Sequence, residues 1–295
     1  MKFPKEITKT IKEFGYFDPS RLDEAVSILG KFGSRITILA GGTDLLNQMK
    51  VRQVKPEFVL NLKRIKELEY IRRNRGLEIG PLTTITAIRE SKMIRTGFIS
   101  LYDAAEWFGT PQIRNMATVG GNICRSSPSS DMVPPLMALD ATLKLAGPKG
   151  ERTVPIETFA VGPGENVLDR EILTEIFIPQ QEPSSGTAFL KLKRSSADLA
   201  KASCAVRIAM RDSKCKDIRI VLGAVSDKVL RVKKAEEILK REKVTDAVIE
   251  EAGKKASQEA QPITDVRSTA GYRKQMIEVL VKRLIHLAIE RAKAL

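Results

Sequence analysis

A single histidine, a single tryptophan and only three cysteines in 295 residues remove most of the side chains from which enzymes build catalytic and metal centres. His286 is the only imidazole, and it lies in "VLVKRLIHLAIERAKAL", an amphipathic stretch that reads as one face of a terminal helix, so a Ser-His-Asp triad has nowhere to form. Cys124, Cys204 and Cys215 make no CxxC pair and are too few for a four-thiolate cluster or a Cys-only zinc site. No catalytic residue and no metal ligand is therefore assigned. A chain this poor in acid-base and metal groups borrows its chemistry from an organic cofactor or has none. Long apolar runs are also missing. None approaches the roughly 18 residues of a membrane span, and the opening "MKFPKEITKT" lacks the apolar core of a secretory signal, so a cytoplasmic location is expected.

Charge of one sign is in excess, with 50 Lys and Arg against 36 Asp and Glu and a formal net charge of +14. Clustering would favour phosphate backbones through counterion release, but stretches such as "RVKKAEEILKREK" and "EEAGKKASQEA" interleave both signs, as solvated helix faces do. No nucleic-acid partner is expected. At 42% hydrophobic and 29% charged residues the chain is folded rather than disordered, and its length calls for two or three domains.

Residues 1–56 contain "RLDEAVSILGKFG", a helix by its period of 3.6, then the strand "RITILA", a glycine turn, the helix "DLLNQMKVRQ" and, just beyond, the short buried strand "FVLNL". This is a small α/β unit with a few parallel strands. Over 57–179 the pattern becomes a strand pair about Asn74 to Gly76, a helix starting near Thr84, a hairpin across "GPKG" and the strand "EILTEIFIP". Residues 180–295 open with the linker-like "QQEPSSG" and hold three strands, in "TAFLKLKR", "AKASCAVRIAMRD" and "CKDIRIVLGAV", followed by three helices.

Two glycine pairs punctuate this pattern. "ITILAGGTDLL" runs strand, turn and helix, a shape that receives phosphate on unpartnered amides or simply turns the chain with positive φ. "RNMATVGGNICRSSPSSDMVPPLMALDA" places Gly120 and Gly121 between Thr118 and Asn122, and by itself also reads as a β-turn. Two such turns on different subdomains can converge on one diphosphate, with Thr43 and Thr118 donating from their hydroxyls. Neither turn is GxGxxG and no GxxxxGK[ST] occurs, so Rossmann and P-loop readings have no support.

"AGGTDLL", "RNMATVGGNI" and "SSPSSDMVPPLMALDA", joined by "FLKLKRSSADLAKASCAV" and "PITDVRSTAGYRKQMIEVLVKRL" toward the C-terminus, resemble the FAD-binding medium subunit of the molybdenum hydroxylases, the family of carbon monoxide, xanthine and aldehyde dehydrogenases. The resemblance spans the whole chain. It implies an α+β fold: a two-lobed FAD-binding domain of the PCMH, or vanillyl-alcohol oxidase-like, type, then a smaller α+β domain with a three-stranded sheet and helices. Carried over residue by residue, Ile38, Leu39, Ala40, Gly41, Gly42, Thr43, Asp44 and Leu45 face Thr118, Val119, Gly120, Gly121 and Asn122 across the FAD diphosphate. Asp131 falls near the ribityl or adenine-side polar groups, or caps the helix that follows it. Phe108 packs on the cofactor, Leu173 walls it and Lys191 approaches the isoalloxazine; by residue type alone the first two read as core and the lysine as solvated. Asp44 has the wrong sign for a phosphate neighbour and is expected to turn away and cap the helix, and Cys124 to be a small buried residue.

The resemblance also implies partners. FAD is expected noncovalently, since the lone histidine lies in a distal helix, while molybdopterin and 2Fe–2S clusters are expected only on partner subunits, a large and a small one, in a heterotrimer or its dimer. The cysteine count leaves no room for the 4Fe–4S insertion of some relatives. Electrons would pass from the 2Fe–2S clusters through FAD to an acceptor. Two rival readings stay open from the sequence: a self-contained PCMH-type flavin reductase or oxidase, and a basic nucleic-acid-binding scaffold.

Overall fold

The computed structural model describes residues 11–212, 214–240 and 242–294; the stretch read for a signal sequence lies outside them. Strand β1 (Gly15–Phe17), helix α1 (Leu22–Phe32), β2 (Ile36–Leu39), α2 (Leu45–Lys50) and β3 (Phe58–Asn61) form the first lobe. Its sheet has the order β1-β3-β2 with both pairings parallel. Helix α1 carries Asp23 and Glu24 in its first turn and Lys31 in its last, matching the helix dipole, and ends at Gly33, whose φ of +56° no side-chain-bearing residue adopts cheaply. Its buried residues Ala25 and Leu29 pack on Ile36 and Leu60 of the sheet. Strand β3, which the sequence places just beyond residue 56, is hydrogen-bonded between β1 and β2.

The second lobe runs through β4 (Ile71–Arg73), β5 (Gly76–Ile79), α3 (Ile85–Glu90), α4 (Lys92–Gly97), α5 (Ile99–Trp107), α6 (Pro111–Met116), α7 (Val119–Cys124), α8 (Val133–Ala138), β6 (Thr142–Gly147), β7 (Gly150–Pro155), α9 (Ile156–Phe159), β8 (Ala160–Gly162), β9 (Glu165–Asn166) and β10 (Ile172–Pro179). Its five-stranded antiparallel sheet has the order β4-β5-β10-β6-β7. The sequence announced a helix near Thr84 and another after Asp131, where α8 lies; the chain between β5 and β6 folds into six short ones in all. Thr84, Ser91, Thr110 and Thr118 each accept an amide of the first turn they precede, so hydroxyl caps start four of these helices. The second glycine pair is thereby no β-turn: Gly120 and Gly121 lie in the first turn of α7, and neither they nor Asn122 has positive φ.

The third part is an antiparallel meander of β11 (Ser185–Leu192), β12 (Ala202–Arg211), β13 (Lys214–Gly223) and the two-residue β14 (Leu230–Arg231), followed by α10 (Lys233–Leu239), α11 (Asp246–Glu259) and α12 (Ala270–Lys293). The expected three strands thus gain a fourth at the edge. One face of this sheet buries Ala188, Cys204 and Val206 against the helices, while the other buries Phe189, Ala205 and Val221 against the second lobe. Polar ties fix the contact: Arg291 on α12 pairs with Asp103 on α5 at 2.6 Å, and the amide of Phe189 donates to the same carboxylate at 3.2 Å. Period-2 alternation puts Lys191 on the Phe189 face, directed at the second lobe and not at solvent.

Asp265 locks the turn before α12. Its carboxylate accepts from the amides of Arg267 at 2.8 Å and Ser268 at 3.2 Å and from Arg273 at 2.5 Å, and Arg273 also donates to the carbonyl of Ala224. Burial opposes ionisation here, but these donors hold the carboxyl below its ordinary 3.8, at about 2. A depressed carboxyl contributes stability above its unfolded value that is lost as the pH falls through the folded one. Asp265→Asn is therefore expected to cost about 1–3 kcal/mol near neutrality, with the gap to the parent closing as the pH drops from about 4 toward 2. Unfolding curves of both chains across that range check it; a gap that stays constant with pH contradicts the assignment.

Candidate functional site

A cavity of about 1380 Å³ runs between the two lobes and reaches the third part of the chain. It is lined by the turn after β2, the start of α7, the segment before α8, Leu173 of β10 and Lys191 of β11, which brings residues from five separate stretches onto one space. Of the candidate residues, Leu39 and Val119 do not line it: Leu39 packs with Met49 and Val59, and Val119 is in the main core.

The first glycine turn is shaped by close approach. A Cβ on Gly41 would strike the carbonyl of Met116 and lie 3.0 Å from the Cα of Ala117, and Gly42 has φ +77°. Among the described residues the amides from Gly41 through Leu45 have no hydrogen-bond partner, although the same residues line the cavity. Five consecutive amides without a protein partner, on residues that line a space this size, are donors available to an anion.

The second glycine pair serves differently from what its sequence suggests. The amides of Val119 and Gly120 are taken by Thr83 and Pro81 carbonyls at 3.0 and 2.9 Å, and those of Gly121 and Asn122 by the hydroxyl and carbonyl of Thr118 at 3.1 and 3.0 Å. What this turn offers is closeness. A Cβ on Gly120 would sit 2.5 Å from that of Pro81, and one on Gly121 would point toward Ala40, 3.8 Å away across the cavity. This side offers the Thr118 hydroxyl and the side-chain Nδ2 of Asn122, whose Oδ1 is held by the amide of Met132 at 3.2 Å.

Asp44 does not cap α2, which has no side-chain cap; its carboxylate reaches Nε of Arg125, the residue that ends α7. Arg125 also lines the cavity, and nothing in the sequence singled it out, since it stands one turn past the glycines with no motif of its own. Asp131 does not cap α8 either, as that helix too lacks a side-chain cap. Its Oδ2 accepts from Lys191 Nζ at 2.6 Å, with the two side chains only 7% and 1% exposed, and its Oδ1 is buried with no partner among the described residues. Burial pushes the Asp131 carboxyl above its ordinary value while the Lys191 charge pulls against it. Lys193, two residues on, is lowered by burial and by the Lys191 charge.

Phe108 ends α5, packs on the main core and shows part of its surface to the cavity. Leu173 reaches the wall beside a β-bulge, where the register of β10 with β6 shifts between Leu173 and Glu175, and bulges re-aim side chains in this way. Cys124 also lines the wall, half-buried rather than fully buried, with its thiol pushed up to about 12 by burial and so unreactive. His286 is 51% exposed on α12, 3.7 Å from Asp246, and is not among the residues lining the cavity. Among the described residues no three His, Cys, Asp or Glu side chains converge to hold a metal, and no helix is long and apolar enough to cross a membrane. Both signs interleave along the C-terminal helices, as where Lys254 pairs with Glu250 and Lys282 with Glu278.

Residues 12–181 match the family model described as the FAD binding domain in molybdopterin dehydrogenase, and residues 187–288 match the CO dehydrogenase flavoprotein C-terminal domain. The carbon monoxide dehydrogenase medium chain of Hydrogenophaga pseudoflava is 34% identical over 280 residues, 94% of this chain and 98% of that one. The glyceraldehyde dehydrogenase medium chain of Sulfolobus acidocaldarius is 31% identical, over 92% of this chain and 96% of that one. The solved carbon monoxide dehydrogenase from Hydrogenophaga pseudoflava that lacks the Mo-pyranopterin moiety superposes with a TM-score of 0.93 at 34% identity, covering 96% of this chain and 99% of its counterpart.

Proposed function

The chain belongs to the FAD-binding medium subunits of the molybdenum hydroxylases, the family of carbon monoxide and xanthine dehydrogenases, and we propose that it is the electron-transfer subunit of such a complex. Substrate is oxidised on a large molybdopterin-bearing partner, a small partner supplies 2Fe–2S clusters, and this subunit passes the electrons to an external acceptor. FAD supplies a ring that is stable with zero, one or two added electrons, which joins single-electron clusters to a two-electron acceptor.

The observation that carries this reading is the run of free amides at Gly41 to Leu45 opposite the tightly packed Gly120 and Gly121, on one cavity long enough to reach Lys191. Those amides, with the hydroxyls of Thr43 and Thr118, would hold the diphosphate. The lone Oδ1 of Asp131 would accept a hydroxyl of the ribityl or ribose part, and a buried acceptor would thereby gain a partner. Phe108 and Leu173 would exclude water from the ring, and the ammonium of Lys191, anchored by Asp131, would place a positive charge beside it. No side chain of this subunit needs to act as acid or base toward substrate, in keeping with its single, distal histidine.

The test begins with the isolated chain. It should carry one FAD that passes a filter after denaturation, and its flavin should stay oxidised with carbon monoxide, an aldehyde or a purine. Adding the small and large partners should restore substrate-dependent bleaching of the flavin absorbance. Rapid flavin reduction in the isolated chain would instead make it a self-contained enzyme.

A further inference from the structure

Resting on that reading, we propose that Arg125 and Asp44 form a charge-compensating strap between the two glycine turns, in which Arg125 is a positioning residue: it cancels the carboxylate that the first turn places beside the diphosphate seat. The amide of Asp44 is one of the five free donors, so its side chain starts within the same turn that receives the anion. A carboxylate there repels a diphosphate, and the repulsion strengthens as the filled cavity excludes water. No helix cap absorbs that charge. The carboxylate instead crosses to Nε of Arg125, at the end of the helix that the second glycine pair begins.

Arg125 is placed for this. It ends α7, with its amide donating to the carbonyl of Gly121 at 3.0 Å, and its Nη1 packs where a Cβ on Gly164 would come within 3.1 Å, a space kept open by a glycine at φ +81°. Asp44 is the carboxylate it pairs with, and both residues line the cavity. Both side chains are about half exposed, so the pair adds little to the stability of the empty protein and its work is electrostatic.

A double-mutant cycle on the full-length chain, stripped of flavin and titrated with FAD by fluorescence, tests this. Arg125→Gln should raise the FAD dissociation constant about tenfold, because it leaves the Asp44 charge uncompensated. Asp44→Asn should leave the constant within about threefold of the parent or lower it, and in the double variant the loss caused by Arg125→Gln should shrink to about threefold or less. Arg125→Lys, which keeps the charge, should recover most of the affinity, and the Arg125→Gln defect should fade as salt rises. Melting temperatures of the stripped variants should match the parent. A full tenfold loss that persists when Asp44 is already Asn, or no loss in Arg125→Gln, overturns the strap. No FAD uptake by the unaltered chain would overturn the functional reading itself.

Discussion

Lys191→Met is expected to lower the unfolding free energy by about 3–5 kcal/mol, because it leaves the Asp131 carboxylate buried without its counter-charge. The pair is 2.6 Å apart, and both side chains are almost wholly excluded from solvent. Water cannot take over from the ammonium. Asp131→Leu added to Lys191→Met should return most of the loss, since an apolar pair of similar volume is often as stable as a buried ion pair. FAD affinity should stay low in the double variant, as the acceptor Oδ1 goes with the carboxylate. In the single variant the Asp131 carboxyl, already raised by burial, loses the charge that opposed that rise. A group whose folded value lies above its unfolded one favours the fold below the unfolded value and loses that contribution as the pH climbs through the folded one. The deficit of Lys191→Met should therefore be smaller at pH 5 than at pH 8. Urea unfolding at both pH values measures it, and a deficit under about 1 kcal/mol at pH 8 would mean that the ammonium is not needed to keep Asp131 buried.

Much of the scaffold could be read from the chain because local pattern and tertiary role agree there. The strand, glycine turn and helix at 36–50, the hairpin at 142–155 and the three long strands of the last sheet all appear where their periodicity places them. The helices α4 to α6 left no comparable trace. They are six to nine residues long, too short to stand alone, and are held by caps such as Ser91 and Thr110 and by packing that no linear pattern encodes. Lys191 was legible as a member of a strand but not by its face, because a strand buried on both sides does not alternate apolar with polar. Asp131 and Asp44 both stand where helix caps are expected, and both instead find cations from distant parts of the chain. Long-range pairing of that kind leaves no spacing rule behind, and for the same reason Arg125 went unnoticed.

The largest loss of cofactor is expected from the glycine turns, by three physical routes that can be told apart. Gly41→Val drives a side chain into the carbonyl of Met116, a backbone group that no rotamer change can move, so the turn and the lobe contact behind it must both shift. Gly42→Val meets only the flexible ends of Leu39 and Leu46, at 3.1 and 3.3 Å, but must hold φ at +77°, a strain of about 1–3 kcal/mol for a β-branched residue. Gly121→Val carries no such backbone strain. Its side chain passes Thr118 Oγ1 at 3.0 Å and heads toward Ala40, into the space between the turns. All three should weaken FAD binding by about a hundredfold or more, equivalent to at least about 2.7 kcal/mol. Stability should separate them: Gly41→Val and Gly42→Val should melt below the parent in the flavin-free state, while Gly121→Val should melt close to it, because its new side chain fills a seat rather than a core. Gly121→Ala should fall between the parent and Gly121→Val in affinity. FAD titration and melting of the stripped chains give both readouts, and full flavin occupancy in Gly121→Val would remove the second turn from the diphosphate site.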